Sequence, residues 1–528
     1  MNRKFQFRKY LLPLLLLTGA ASCDKDFVAV NTNPTQPTSL DPGYLFAAAE
    51  VNASIPVYYY QLPIVQQVIH PFTGVAEGGN HNVQFDNNAS TTFDFLYNGT
   101  GNGGTVTGSG AAVNGPIGLL TDVINQTKGS AARSNLYQMA RIWRAYAFMI
   151  LVDTYGDVPY SQAAQAYLGS VNLPKYDAQQ DIYADLVNEL SQATAALDAT
   201  KATESNDAIY KGNIAQWKKL GNSLLVRIGM RYTRADAAKA QQIVAAAYAA
   251  GTMQSNADNA FVPFSSTFNS PTGSWVQGTE RANVYLGKTF VDSLQRTHDP
   301  RLGVIAVKYT SPGGTLSGGG VGAEDTIQAD QLGIPIGYNE ATISTAPGFP
   351  GKANGAGWKY SQLNRRTVGR IDIPEFFVTY AQTQLLLAEA AQRGWISATP
   401  ATLYNAGVKA HMDQMAKYDA SATIATAAQD AYLAANPYDP ANALQQINTQ
   451  YWIASFLNGT EAWANFRRSG FPTLTANPYP GADPAVKGAF IHRLQYPLRE
   501  ASVNTANYNA AISHNGPDNM ATHVFWDK

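Results

Sequence analysis

Four times along this chain, two stretches with apolar residues at the 3.6-residue spacing of an α-helix follow one another across a short break. In the first pair Leu136, Met139, Trp143, Tyr146 and Ile150 form one stripe and "TYGDVP", with Gly156 and Pro159, ends it. Ile182, Leu186, Leu190, Ala193 and Leu197 form the partner stripe, and Asp177 with Gln180 reads as the capping box of that helix. The second pair carries Ile214, Trp217, Leu220, Leu224 and Ile228, followed after "TRAD" by an alanine-rich helix running to Gly251. Val378, Ala381, Leu385 and Ala388 open a third pair, broken at "QRGWISATP" and resumed by "LYNAGVKAHMDQMAKY". Leu444, Ile447, Tyr451, Ala454 and Leu457 open a fourth that turns at "NGTE". A helix with one apolar stripe must bury it, and the stripe that follows in sequence is the nearest surface able to cover it. The spacing therefore predicts helical hairpins near 132–197, 213–250, 374–417 and 441–469, stacked as repeats. "WKKLGNSL" supplies the W-x-x-L-G-x-x-Y opening of a tetratricopeptide unit with Leu224 in place of Tyr.

Between the pairs the composition changes. Residues 76–115, 251–283 and 310–360 are dense in Gly, Ser, Thr, Asn and Pro, as in "NGTGNGGTVTGSG" and "SPGGTLSGGG", which puts loop-rich insertions near 76–115 and 251–360. Loops this long are usually functional or disordered, and short alternating runs such as "TTFDFLY" read as strands of small sheets. The expected fold is mainly α, a superhelix of about four tetratricopeptide-like helical hairpins with long loop-rich insertions and a few short strands. No Pro- or charge-rich linker divides residues 23–528, which read as a single domain.

Residues 1–22 have a different character. Arg3, Lys4, Arg8 and Lys9 precede an apolar run from Leu11 to Leu17, and Gly19 to Ser22 are all small, the layout of a secretory signal. Seven helical residues rise about 10 Å against the roughly 30 Å of a bilayer core, so the run is too short to span one. The small residues lead directly into Cys23, the only cysteine of the chain. This resembles a bacterial lipoprotein signal, with Ala20 standing where Leu, Val or Ile is usual, and it implies that Cys23 is acylated and becomes the mature N-terminus. The alternative is an ordinary cleavage site with an incidental thiol. Removing residues 1–22, which hold four basic and no acidic side chains, leaves 33 basic against 38 acidic groups, a net charge near −5. That argues against nucleic-acid binding, and no later segment reaches 18 apolar residues without a charge.

Catalytic signatures fail one by one. Gly99, Gly101 and Gly104 satisfy G-x-G-x-x-G, but glycines and threonines follow where a phosphate-binding helix must begin. "GKT" at Gly287 to Thr289 lacks its upstream glycine, because position 282 is Ala. The seven histidines form no H-E-x-x-H pair and no close spacing with carboxylates, and G-x-S-x-G is absent, so no metal, cofactor or catalytic residue is expected. Glu461 and Glu500 read as buried Arg–Glu pairs rather than a glycosidase couple, Asp153 and Asp157 as capping or turn residues, and Trp463, Phe466 and Phe471 around Arg467 and Arg468 as helix packing with a stacked guanidinium.

Several blocks in order, "VNTNPTQP", "RIWRAYAFMILVDTYGDVPYSQA", "TYAQTQLLLAEAAQRGW", "YWIASFLNGTEAWANFRRSGFP" and "RLQYPLREASVNTANYNAAI", resemble the SusD/RagB-like outer-membrane lipoproteins of Bacteroidetes, in the SusD-like branch associated with starch binding. The resemblance implies tetratricopeptide-like hairpins covered on one side by loops, and a lipid-anchored, outward-facing position on the outer membrane. It also implies a role as lid of a TonB-dependent, SusC-like transporter that imports captured glycans or, in the RagB branch, peptides. The expected function is non-catalytic capture of a glycan or oligosaccharide. The alternatives are a surface glycosidase using Asp292, Glu324 or Asp325, a peptide-uptake protein, and a scaffold that holds a peptide or protein.

A glycan site needs an exposed aromatic face beside hydrogen-bonding groups. The insertions offer Trp275 in "PTGSWVQG", Tyr338 in "GIPIGYNE", and Trp358 and Tyr360 in "NGAGWKYSQ", with Asn80, His81 and Asp86 of "GGNHNVQFDNN" as polar partners. For each aromatic the competing reading is that it folds back over the helices.

Overall fold

A computed structural model describes residues 40–55, 60–72, 78–84, 90–99 and 115–527. Cys23 and Asp86 lie outside the described residues, as do Gly101 and Gly104.

The described chain is mainly helical. Helix α1 (Pro42–Val51), capped by Asp41 through the Gly43 N–H, packs on α2 (Pro116–Thr127), and α2 packs on α3 (Ser134–Tyr155). Then α4 (Gln179–Ala196) lies against α3, and α5 (Ile214–Arg231) against both α4 and α6 (Ala237–Ala250). After the insertion, which contains α7 (Lys288–Arg296), α8 (Tyr380–Gln392) packs on α5, on α9 (Pro400–Gln414) and on α10 (Ala443–Ala454). Helix α11 (Gly459–Ser469) pairs with α10 and returns to α3, and α12 (Thr505–Asn515) follows near the end.

Local chemistry sets the boundaries. Asn213 and Asp236 accept the backbone N–H of Gln216 and Lys239 at the starts of α5 and α6, and Thr379 with Gln382 forms a reciprocal capping box on α8. Gly221 lies where a β-carbon would stand 1.9 Å from Thr194 Oγ1, so α4 and α5 approach closely only because this residue has no side chain.

Two local expectations are corrected. "TTFDFLY" is helical (Thr91–Asn98), because Phe93, Leu96 and Tyr97 share one helical face packed into the main core. Asp177 does not cap α4, whose N-cap residue is Ala178. It sits in a strand and accepts the Ser161 N–H at 2.8 Å, while Asp157 takes the Gln179 N–H at 2.9 Å.

Short antiparallel strands tie the loops. Strand β1 (Val68–Ile69) pairs with β5 (Tyr285–Leu286), β2 (Val158–Pro159) with β3 (Tyr176–Asp177), and β4 (Ala260–Val262) with β9 (Glu375–Val378). Strand β6 (Ala306–Tyr309) lies between β7 (Glu324–Asp325) and β8 (Gln362–Leu363).

Charge is buried where the helices meet. Arg231 donates to Glu461 at 2.7 Å and lies 3.3 Å from Asp153, Arg227 stands 3.4 Å from Glu461, and Tyr451 donates to Glu461 at 2.7 Å. Burial opposes the ionisation of Glu461, but the two guanidinium groups outweigh it and lower its pKa. Asp153, read from the sequence as a turn or capping residue, is instead a core partner of Arg231 that also accepts the Tyr183 hydroxyl. Arg467 stacks 3.8 Å from the centre of the Trp463 ring.

Candidate functional site

The insertion builds a second, smaller core from Ile69, Tyr285, Ile334, Ile336, Ile343, Ala346, Trp358 and Tyr360, with Leu332, Tyr338 and Phe349 on its rim. Backbone hydrogen bonds assemble it: Ile334 N–H donates to Leu286 O at 2.9 Å, Lys288 N–H to Ile334 O at 2.7 Å, and Leu286 N–H to Ser361 O at 2.9 Å. Gly287 is required at this crossing, since a β-carbon there would stand 2.1 Å from Gln66 O.

Beside this core opens a cleft of about 290 Å³. Ile69, Ile334, Pro335, Ile336 and Pro478 line it with apolar surface, and Tyr338 is half-buried at its edge. The rest of the lining is largely polar. Lys288 and Asp292, their side chains about half exposed, pair at 2.5 Å, Thr289 Oγ1 donates to Gln66 Oε1 at 2.5 Å, and Gln66 Nε2 donates to Thr475 O at 2.6 Å. A lining that combines apolar surface and one aromatic residue with charged and hydroxyl groups can hold a molecule that itself offers both C–H surface and hydroxyls. The "GKT" triplet, dismissed as a nucleotide motif, supplies three of the lining residues.

Of the described residues expected at a binding site, Tyr338 alone lines the cleft. Trp358 and Tyr360 are buried beneath it, 7% and 2% exposed, so the expectation that they stand free is corrected: their rings fill the small core against Tyr285. Trp275 is also buried and packs on the main core, its ring 6.1 Å from that of His70. Asn80 is buried and works on the chain itself, donating to Tyr338 O at 3.0 Å and accepting Gly337 N–H at 3.0 Å. His81 stacks on Tyr479 at 4.0 Å. Asn80, read as a ligand partner, instead holds the turn that presents Tyr338, because a polar residue on an early loop must satisfy its hydrogen bonds once the later insertion closes over it, and His81, read likewise, packs its ring on Tyr479.

A larger groove of about 540 Å³ runs along α4, α5 and α6, but its lining of Val187, Leu225, Ile243 and Ala246 with two lysines includes no aromatic residue. The carboxylates considered for hydrolysis are each engaged. Asp292 pairs with Lys288, Glu324 with Arg366 at 2.6 Å, Asp325 with Lys308 at 3.0 Å, and Glu461 with Arg231. Glu500, expected in an arginine pair, accepts the Tyr176 hydroxyl at 2.8 Å with Arg499 at 3.7 Å, and burial raises its pKa. Asp292 is the only carboxylate lining the cleft among the described residues, whereas two are needed for acid–base glycoside cleavage.

The reading that no histidine is spaced closely with a carboxylate along the chain, and so that a zinc site has no support in the sequence, is also corrected: His523 and Asp527 lie four residues apart, and the fold brings His492 to them. The i, i+4 spacing was readable, but the third member comes only from the fold.

A family model described as SusD-like, starch-binding and associating with the outer membrane, matches residues 79–497. No curated protein matches the chain. Among solved structures, a chitin-binding protein is 27% identical with a TM-score of 0.77, over 92% of this chain and 100% of that one. A Bacteroidetes SusD-like protein is 25% identical with a TM-score of 0.77, over 93% and 100%. A chitin-binding SusD homologue from Flavobacterium johnsoniae is similar in fold, at 21% identity and a TM-score of 0.71 over 92% and 99%. No helix among the described residues is long and apolar enough to cross a membrane.

Proposed function

This chain belongs to the SusD-like family, and from that premise we propose that it is a non-catalytic surface lipoprotein that captures a glycan or oligosaccharide and delivers it to a TonB-dependent, SusC-like transporter. In this reading the helix pairs are the tetratricopeptide-like scaffold, and the cleft beside Tyr338 is the capture site. The observation that carries it is that one cleft is lined both by Tyr338 and by Lys288, Thr289 and Asp292, in a chain 27% identical to a chitin-binding protein. Chitin oligosaccharides are therefore the first ligands to test. Non-catalysis is supported by the ion-paired state of Asp292, Glu324 and Asp325. Release of new reducing ends from a bound polysaccharide would overturn it.

Tyr338→Ala removes the aromatic edge from a half-buried position and leaves Trp358 and Tyr360 in place beneath it. Titration calorimetry with the oligosaccharide bound by the native chain should show affinity at least tenfold weaker, about 1.4 kcal/mol, with the melting temperature little changed. Native affinity in the folded variant would remove this cleft from the site.

The anchor and the partner are tested separately. The family model, described as associating with the outer membrane, supports a partner there, and the lipoprotein-like sequence around Cys23 supports the tether. Cells fed an alkynyl fatty acid should label the native chain and spare Cys23→Ala, and mild-detergent purification should recover the native chain with its barrel. Equal labelling would refute the anchor, and recovery of the chain alone beside an abundant barrel would refute the complex.

A further inference from the structure

We propose that His492, His523 and Asp527 form a binding site for one divalent transition-metal ion of the Zn²⁺ type, which clamps the C-terminal tail to the body of the protein. Among the described residues these form a group of three histidine and carboxylate side chains whose ligand atoms all lie within 4.8 Å of one another. His492 Nδ1 lies 2.7 Å from Asp527 Oδ2, and His523 Nδ1 lies 3.5 Å from the same oxygen and 2.6 Å from Asp527 O. The two imidazoles stack at 3.6 Å with 27° between their planes, so both ring nitrogens address one carboxylate. Ligand atoms about 2.0–2.1 Å from a tetrahedral ion stand about 3.3 Å apart, and the two nitrogen-to-oxygen distances straddle that value.

The donor set selects the ion. Two imidazoles and one carboxylate suit Zn²⁺, Co²⁺ or Ni²⁺, whereas Ca²⁺ and Mg²⁺ require mostly oxygen ligands. Water completes the coordination from the open side, where His523 is 47% exposed.

The ligands are also held in advance. His492 N–H donates to Met520 O at 2.8 Å, Phe525 N–H donates to Gln179 Oε1 at 2.8 Å, and Met520, Val524 and Trp526 are buried around the site. Arg467 donates to His492 O at 2.6 Å and fixes the backbone of that ligand. Its cation also attracts Asp527 and competes with the ion for the carboxylate, so binding is weaker than at a closed four-ligand zinc site. The ion would join the segment of His492 to the one that contains Trp526, whose ring lies 5.5 Å from Arg231 and 4.9 Å from Arg467, and so would stabilise the tail against the buried charge network.

The test uses the protein purified with a tag that contains no histidine. Calorimetric titration with zinc chloride should show one saturable ion per chain, and cobalt chloride should give the visible absorption of a low-coordinate Co²⁺ site. His523→Gln changes a half-exposed residue, so its metal-free melting temperature should match the native one, while zinc affinity falls at least tenfold and the zinc-induced rise in melting temperature disappears. Asp527→Asn, which preserves shape, should behave alike. Absence of saturable binding to the native chain, or native zinc affinity in a folded His523→Gln, would overturn the proposal.

Discussion

Glu461→Leu should destabilise the protein by about 3–5 kcal/mol, the cost of leaving buried charge without its partner. Glu461 is 4% exposed and holds Arg231 at 2.7 Å, Arg227 at 3.4 Å and the Tyr451 hydroxyl at 2.7 Å. Without it Arg227 keeps only the oxygens of Gln382 and Phe377, and Arg231 keeps Asp153 at 3.3 Å. Because these groups come from α3, α5, α8, α10 and α11, the loss acts on the junction of the fold rather than on one helix. The denaturation midpoint of the variant measures it. The double variant Glu461→Leu with Arg227→Met should recover part of the loss, since one unpaired cation has been replaced by an apolar chain of similar length. A single variant within about 1 kcal/mol of the native chain would show that the arginines are solvated.

Glu389 should make the protein lose about 3 kcal/mol of stability as pH falls from about 5 to about 2. This side chain on α8 is 1% exposed and receives Arg468 at 2.8 Å, Arg393 at 2.8 Å and Asn448 at 3.1 Å. Burial favours its neutral form, but Arg468 and Arg393 outweigh burial and bring the pKa down to about 2 from 4.5. A carboxylate whose pKa is depressed in the folded state stabilises that state fully above its unfolded pKa, and the gain is lost as the folded pKa is approached from above. With about 1.4 kcal/mol for each pH unit, the fall from 4.5 to about 2 amounts to about 3.5 kcal/mol in full, of which about 3 is lost by pH 2. Glu389→Gln should therefore start less stable at neutral pH, with Arg468 left buried, and then lose less between pH 5 and 2 than the native chain does. Parallel stability curves for the two proteins over that window would contradict this account.

The helical stripes were legible because their cause is local. Met139, Trp143 and Ile150 repeat at the helical period, and each stripe finds a cover among its neighbours, as Leu385 does on α8 and Ile447 on α10. The block resemblance supplied the family, which the family model over residues 79–497 now shows. Of the candidate site, Tyr338 was legible as a loop aromatic. Gln66, Lys288 and Thr475 were not, because nothing in a sequence says that positions 66, 288 and 475 will face one cleft.

The misreadings share that origin. Alternation in "TTFDFLY" suits a strand when read alone, but one face of Phe93, Leu96 and Tyr97 packed into the core makes it a helix. Trp275 and Trp358 lie in glycine-rich segments that look exposed, yet each buries its ring, Trp275 in the main core and Trp358 in the smaller core that the insertion forms. Asp153 stands near a helix stop and so resembled a capping residue, until the fold placed Arg231 beside it.

By itself the sequence determined the periodic elements, the acidic balance of the chain and its family. These depend on spacing, composition and ordered blocks, which are properties of residues near one another along the chain. Only the tertiary structure decided which aromatics are buried, which carboxylates are paired with arginine, and that His492 meets His523 and Asp527. The physical reason is that burial and charge pairing depend on distances through space between residues far apart in sequence, and closing the chain over them costs entropy that only the whole set of contacts offsets.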